Sequence, residues 1–186
     1  MKIKMKKELV FYLTIIILFL IGIFFDKEIA LFFANNRIGF LTSIMQFISN
    51  TYFLACVFVI VGSLFLFDKK NKKYLIPFLI SILASFLLEY SLKLLFMRER
   101  PIGGIYNPES YSFPSGHSAV VFSPIAVLNK AFSKLAKYWF VFAILIAFSR
   151  IYLGVHYLTD VCFGVFIGYS AGKLVLWGFK KKSKSR

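Results

Sequence analysis

Uncharged apolar runs, parted by short polar stretches, recur along the chain at residues 9–25, 51–67, 74–88, 111–129, 138–149 and 161–172. Several approach the ~20 residues a helix needs to cross a hydrocarbon core, and the shorter ones reach it by taking in a flanking polar residue. The pattern predicts an all-α, polytopic membrane protein with six transmembrane helices, forming a single unit over residues 1–186 with no separate soluble domain. Residues 26–50 break the rhythm. There Ile29, Leu31, Phe32, Phe33, Phe40, Leu41, Ile44, Phe47 and Ile48 are interleaved with Asn35, Asn36, Arg37 and Gln46. This predicts one or two short amphipathic helices on the outer surface; the alternative is a loop packed on the bundle. Pro77 falls in the first turn of the third span, where proline is tolerated. Pro124 predicts a kink in the fourth.

Composition agrees. The 186 residues are 59% hydrophobic and only 17% charged, with a mean hydropathy of +0.76, which excludes an ordinary soluble domain. Lysines precede the first run, as in a signal peptide, but Gly22-Ile-Phe-Phe-Asp26 is too bulky for a cleavage site, so a retained helix is expected. Cys56 and Cys162 both lie in apolar runs without a Cys-x-x-Cys motif, and are expected as free thiols.

The net charge of +15 raises the question of nucleic acid, but the cations sit in short loops rather than on one face. Their sides alternate. Lys2, Lys4, Lys6 and Lys7, then Lys69, Lys70, Lys72 and Lys73, then Lys130, Lys134 and Lys137, then Lys173 and the tail 180–186 fall on one side of the threading. The positive-inside rule makes that side cytoplasmic, with both termini inside a cell membrane. Trp139 and Trp177 fall near the cytoplasmic ends of spans five and six, where interfacial indoles are common.

Charge beside a membrane segment is costly and marks candidate function. The stretch from Ser149 to Asp160 carries Arg150, His156 and Asp160 between two apolar runs. His156 and Asp160 have the i, i+4 spacing that puts both on one helix face. A carboxylate on one imidazole nitrogen fixes the tautomer and leaves the other free; taken alone, the stretch favours the ordinary reading of a structural His–Asp pair near a helix end. Glu89 and Lys93 share the same spacing in the favourable order for a helix ion pair, and Lys93 has the reach to snorkel to the outer interface. Arg98-Glu-Arg-Pro101 and Gly103-Gly104 then open an irregular loop to Tyr111. Ser112 is the expected cap of span four, with Pro114 in its first turn. The N–H groups of Ser115, Gly116 and His117 then stand at a helix start that favours anions, and Gly116 admits a close ligand.

Threading six spans brings Lys93, Arg100, Ser115, Gly116, His117, Arg150, His156 and Asp160 to the extracytoplasmic side. Cations and N–H groups suit phosphate oxygens, and two histidines suit attack on phosphorus and protonation of the leaving oxygen. No metal or cofactor is expected. Mg²⁺ needs carboxylates, and the motif segments offer only Glu99, Glu109 and Asp160 there. Zn²⁺ on two histidines and an aspartate is the weaker alternative among so many cations.

These residues resemble the type 2 phosphatidic acid phosphatase superfamily of lipid phosphate phosphatases. Its three motifs appear in order: Lys93, six residues, Arg100-Pro101; Pro114-Ser-Gly-His117; and Ser149-Arg150, five residues, His156, three residues, Asp160. The motifs span residues 93–160. The resemblance implies a six-helix core and a metal-independent, two-step reaction on a phosphorylated membrane lipid. His156 is then the nucleophile, Asp160 its holder and His117 the general acid, with Lys93, Arg100, Arg150, Ser115 and Gly116 on the phosphate. Soluble vanadate-dependent haloperoxidases share the superfamily, and the apolar spans argue against that branch. The small core together with the resemblance favours an isoprenyl diphosphate such as the undecaprenyl carrier. Phosphatidylglycerophosphate, phosphatidate and lipid A 1-phosphate are the alternatives within the class. Beyond it stand a lipid-linked phosphotransferase and a non-catalytic headgroup binder.

Overall fold

The computed structural model describes residues 2–184. Arg186 lies outside them, as do the side chains of Lys2, Lys4, Lys7, Lys182 and Lys184, which carry part of the charge asymmetry. The described residues form eight α-helices and no strand: α1 (Lys2–Asn35), α2 (Gly39–Ile48), α3 (Thr51–Phe67), α4 (Leu75–Phe96), α5 (Gly116–Phe122), α6 (Ile125–Ala131), α7 (Ser133–Tyr152) and α8 (Leu158–Lys184).

Four segments are long and apolar enough to cross a membrane: Glu8–Asn35, Lys72–Phe96, Ser133–Tyr152 and Leu158–Lys181. A fifth appears if α2 and α3, bent by 50° where they meet, are counted together. The expected sixth, at 111–129, is instead two seven-residue helices. Pro124 heads the second of them; lacking an N–H and crowding the preceding turn, it interrupts the helix rather than merely kinking it. The first span also differs from expectation. It runs past Asp26 to Asn35, because Asp26 is buried against partners from distant segments. The amphipathic stretch is therefore the tail of α1 plus the single helix α2.

Local chemistry explains the other ends. The Asn50 side chain caps α3 by accepting from the amides of Tyr52 and Phe53. Met97, left-handed at φ 44°, closes α4 with its N–H on the Lys93 carbonyl. Phe24, Val59 and Leu83 project outward from α1, α3 and α4, as expected where the neighbour is lipid. In the core Phe65 and Phe78 are fully buried, with ring centroids 5.2 Å apart. Trp139 belongs to this interior, not to an interface: it is 3% exposed and donates to the Val121 carbonyl at 2.8 Å. Trp177 is exposed, with Lys181 Nζ 5.6 Å from its ring. Cys56 is a free thiol on an exposed residue and Cys162 a buried one.

α8 is the hub, packed against α1, α4 and α5. Gly164, Gly168 and Gly172 form one stripe on it. A Cβ on Gly164 would lie 2.5 Å from the Ser115 carbonyl oxygen, and Cβ atoms on the other two would run into the backbone of Ala119 and Ser123. Small residues let backbones approach closely where packing rather than water drives association. The stripe holds the start of α5 against the start of α8. The end of α4, the break before α5 and the α7–α8 turn thus meet at one end of the bundle.

Candidate active site

The α7–α8 turn builds the centre. Gly154, at φ 67°, takes the left-handed conformation that reverses the chain. The amides of Val155 and His156 both return to the Arg150 carbonyl at 3.2 Å. His156 is thereby held in the interior, 3% exposed. Its Nδ1 faces Asp160 Oδ2 at 3.5 Å, long for a hydrogen bond, with no shorter partner. Its Nε2 lies 3.3 Å from Arg100 Nη1. A guanidinium only donates, so Nε2 is the acceptor and carries the lone pair, which assigns the proton of the neutral ring to Nδ1. Burial pushes the imidazole down to about 3 against the opposing pull of Asp160.

Asp160 is fully buried in the first turn of α8. Oδ2 accepts from the Ser112 hydroxyl and, at 2.8 Å, from the Tyr157 amide. Oδ1 accepts from Arg98 Nη1 at 2.6 Å. Four polar groups therefore surround one carboxylate, and His156 is the most distant. Ser112 is spent here rather than capping a helix. The cap of α5 is Ser115, three residues later, whose hydroxyl accepts from the Ser118 amide.

The cations converge on the same region. Lys93, 8% exposed, donates to the Tyr111 carbonyl at 2.7 Å and lies 3.8 Å from Glu89; it is buried rather than snorkelling. Arg100 spreads its fork over the Ser110 carbonyl at 2.8 Å, the Tyr111 carbonyl at 3.2 Å and the Val155 carbonyl at 2.5 Å. Arg150, 2% exposed, donates to the Tyr106 hydroxyl at 2.9 Å, and its Nε is unpaired. Backbone carbonyls of the 98–111 loop thus aim two of the three cations, and a phenol holds the third. Arg37, after α1, ties this loop to the α7–α8 turn by donating to Gly103 at 2.7 Å and Leu153 at 3.3 Å.

His117, in the first turn of α5, is half-buried and lies within electrostatic reach of Arg150, His156 and Lys93. Its Nε2 is 2.9 Å from the Ser49 carbonyl, at the α2–α3 bend. A carbonyl only accepts, so Nε2 carries a proton and Nδ1 faces the other way. His117 and Glu89 form the polar end of a slot of about 340 Å³, walled by Leu54, Phe58, Phe86 and Val120. Gly116 is glycine for a reason the sequence did not reveal: a Cβ would lie 2.7 Å from Glu89 Oε1. The Ser115 amide is not a free donor, because it bonds the Asp160 carbonyl at 3.0 Å.

Lys93, Arg100, His117, Arg150, His156 and Asp160 therefore gather at one end of the bundle, with Gly116 beside them and Ser115 turned to a structural role. The sequence reading gave Asp26, Thr159 and Tyr106 no place in the site, and took Arg98 only as part of the loop opening and Ser112 only as a helix cap. Two signals pointed to Arg98 and Asp26: Arg98 heads a charged cluster, and Asp26 is a carboxylate directly after an apolar run.

Comparison with known proteins accords with this geometry. Undecaprenyl-diphosphatase of Sulfolobus acidocaldarius is 30% identical over 154 residues, covering 77% of this chain and 73% of that protein. Phosphatidylglycerophosphatase B of Bacillus subtilis is 37% identical over 144 residues, covering 71% and 70%. The crystal structure of a transmembrane PAP2 type phosphatidylglycerolphosphate phosphatase from Bacillus subtilis superposes with a TM-score of 0.72 at 30% identity, covering 92% of this chain and 96% of that one. Aquifex aeolicus LpxE gives 0.65 at 29% identity, covering 81% and 94%. The family model for the PAP2 superfamily matches residues 74–184, more than half of the sequence and all three motifs, and the chain belongs to that superfamily.

Proposed function

We propose that this multi-pass membrane protein is a phosphatase that cleaves an isoprenyl diphosphate of the undecaprenyl type to its monophosphate, through a phosphohistidine on His156. The observation that carries the reading is the state of that ring. It is buried and neutral, Nε2 bears the lone pair, Arg100 stands 3.3 Å from that nitrogen and Arg150 lies within electrostatic reach. In the first step Nε2 attacks the terminal phosphorus, an N–P bond forms and the P–O bond to the leaving phosphate breaks. His117 supplies a proton to the departing oxygen. With Nε2–H held by Ser49, Nδ1 of the protonated ring is the delivering atom. In the second step His117 takes a proton from water, water attacks phosphorus and the N–P bond breaks. Asp160 faces Nδ1 of His156 and stabilises the cationic ring as it forms. Lys93, Arg100 and Arg150 leave their carbonyl and phenol partners for phosphate oxygens, and the Gly116 N–H adds a donor. These cations supply the charge neutralisation, so no metal enters either step.

Six membrane crossings complete the reading, with α2–α3 as one and the broken α5–α6 as another. Both termini are then cytoplasmic and the site opens outward. The lysines between α3 and α4 and those flanking the α6–α7 junction support this orientation. Phosphatidylglycerophosphate is the second reading, favoured by the 37% identity to phosphatidylglycerophosphatase B and by the TM-score of 0.72.

Phosphate release from a panel of isoprenyl diphosphate, phosphatidylglycerophosphate, phosphatidate and lipid A 1-phosphate, in the presence of a chelator, tests the assignment. Preferred turnover of the diphosphate is expected. No release from any of the four ends the proposal, and preference for phosphatidylglycerophosphate replaces the substrate. Turnover that depends on an added alcohol would identify a transferase.

A further inference from the structure

One buried ionic group lies outside the three motifs, outside residues 74–184, and outside the proposed steps. Asp26, on α1, is 7% exposed. Its carboxylate accepts from Arg98 Nη2 at 2.8 Å, from the Thr159 amide at 3.1 Å and from the Thr159 hydroxyl. The other terminal nitrogen of Arg98, Nη1, donates at 2.6 Å to Asp160 Oδ1 and at 2.6 Å to Thr159 Oγ1. The guanidinium lies over the Tyr157 ring, 4.1 Å from its centroid. A single planar fork thus bridges carboxylates from α1 and α8, and one of these faces His156.

Geometry makes this more than a tie between helices. A guanidinium fork is rigid, so holding Nη2 on Asp26 fixes where Nη1 points. Of the two Asp160 oxygens Nη1 then engages Oδ1, which leaves Oδ2 turned toward Ser112, the Tyr157 amide and His156 Nδ1. A rotation of the Asp160 carboxylate would break the 2.6 Å contact, and Arg98 cannot follow it without leaving Asp26. The sequence also makes room for the arrangement. Gly22 stands one turn before Asp26, and a Cβ there would lie 2.8 Å from Thr159 Cγ2 and 3.1 Å from the Thr159 amide. Helix α1 is seated on the start of α8 at these two residues. Negative charge near a site for an anionic phosphate weakens binding unless it serves another purpose, and Arg98 balances it only by being shared.

We infer that Asp26 and Arg98 are positioning residues for the reaction: the Asp26–Arg98–Asp160 bridge fixes the orientation of the carboxylate that serves His156. The inference rests on the proposed role of His156. It is tested on the full-length protein in detergent micelles, by steady-state phosphate release from a short-chain lipid phosphate, with thermal unfolding measured in parallel. Arg98→Gln is expected to lower kcat by about 10–100-fold, the size typical of groups that orient a reacting residue, with KM within about threefold of the parent. Arg98→Lys recovers part of the loss, because an ammonium reaches one carboxylate but not both. Asp26→Asn loses less than Arg98→Gln, and the double variant is no worse than Arg98→Gln, because Asp26 acts through Arg98. Turnover within about twofold of the parent in the folded single variants, a change in KM alone, or losses that multiply in the double variant would overturn the inference. If Arg98→Gln does not fold, Arg98→Lys and Asp26→Asn carry the same comparison. His156→Ala separates the two proposals. Parent-like turnover there ends the phosphohistidine reading, whereas an inactive His156→Ala beside a full-speed Arg98→Gln ends only the bridge.

Discussion

The two histidines occupy opposite kinds of surroundings. His156 sits in a buried polar network, its neighbours drawn from the loop after α4 and the first turn of α8, with Nδ1 facing Asp160 at 3.5 Å. His117 is half-buried, held by one carbonyl at the α2–α3 bend, and borders an apolar slot. The difference matches the demands that the proposed steps place on each. A nucleophile must stay unprotonated and aimed, which burial and a crowded cage provide. A general acid must gain and lose a proton each cycle, and Nδ1 of His117, opposite the nitrogen held by the Ser49 carbonyl, is the atom left to do so. The seam between α5 and α8, lined by Gly164, Gly168 and Gly172, couples the two environments.

The sharpest way to break this comparison is to remove each ring in turn. His156→Asn should reduce turnover by about 10⁴-fold or more while headgroup binding persists, measured by lipid retention on the purified protein. Asp160→Asn should lower kcat by about 10²–10⁴-fold with affinity nearly unchanged, because the ring loses its orienting anion. A large loss of affinity alone would indicate a binding role instead. His117→Gln should cost about 10²–10³-fold on a lipid substrate, and much less on a nitrophenyl phosphate, whose leaving group departs without a proton. An equal loss on both would contradict the division of labour. Gly168→Leu tests the seam: overpacking should lower stability by about 1–3 kcal/mol, read as a fall in thermal midpoint.

The last test concerns pH. With His156 at about 3 when folded against an ordinary 6.5, the unfolded chain binds more protons between these values. Stability therefore falls as pH drops from about 6.5 toward 3, by at most about 1.4 kcal/mol per unit, and is flat above. His156→Asn should flatten that slope.

Much of this architecture is written locally. Apolar runs of near-spanning length foretold an all-helical membrane protein, because a bilayer leaves backbone groups no partner but the helix itself. The cost of charge beside a span singled out Arg150, His156 and Asp160, the threading and the motif resemblance added Lys93 and Arg100, and Pro-Ser-Gly-His marked the start of α5. Only tertiary structure decided how these residues are held. Arg98 meets Asp26 across 72 positions, Ser112 meets Asp160 across 48, and Thr159 meets Asp26 across 133. No periodicity encodes such pairs, since each is satisfied by whichever helix packing brings near. The same cause carried α1 past Asp26, moved the α5 cap from Ser112 to Ser115, and put Glu89 where Gly116 leaves room. Local pattern chose the elements and the reactive groups; the close approach of α1, α5 and α8 chose their partners.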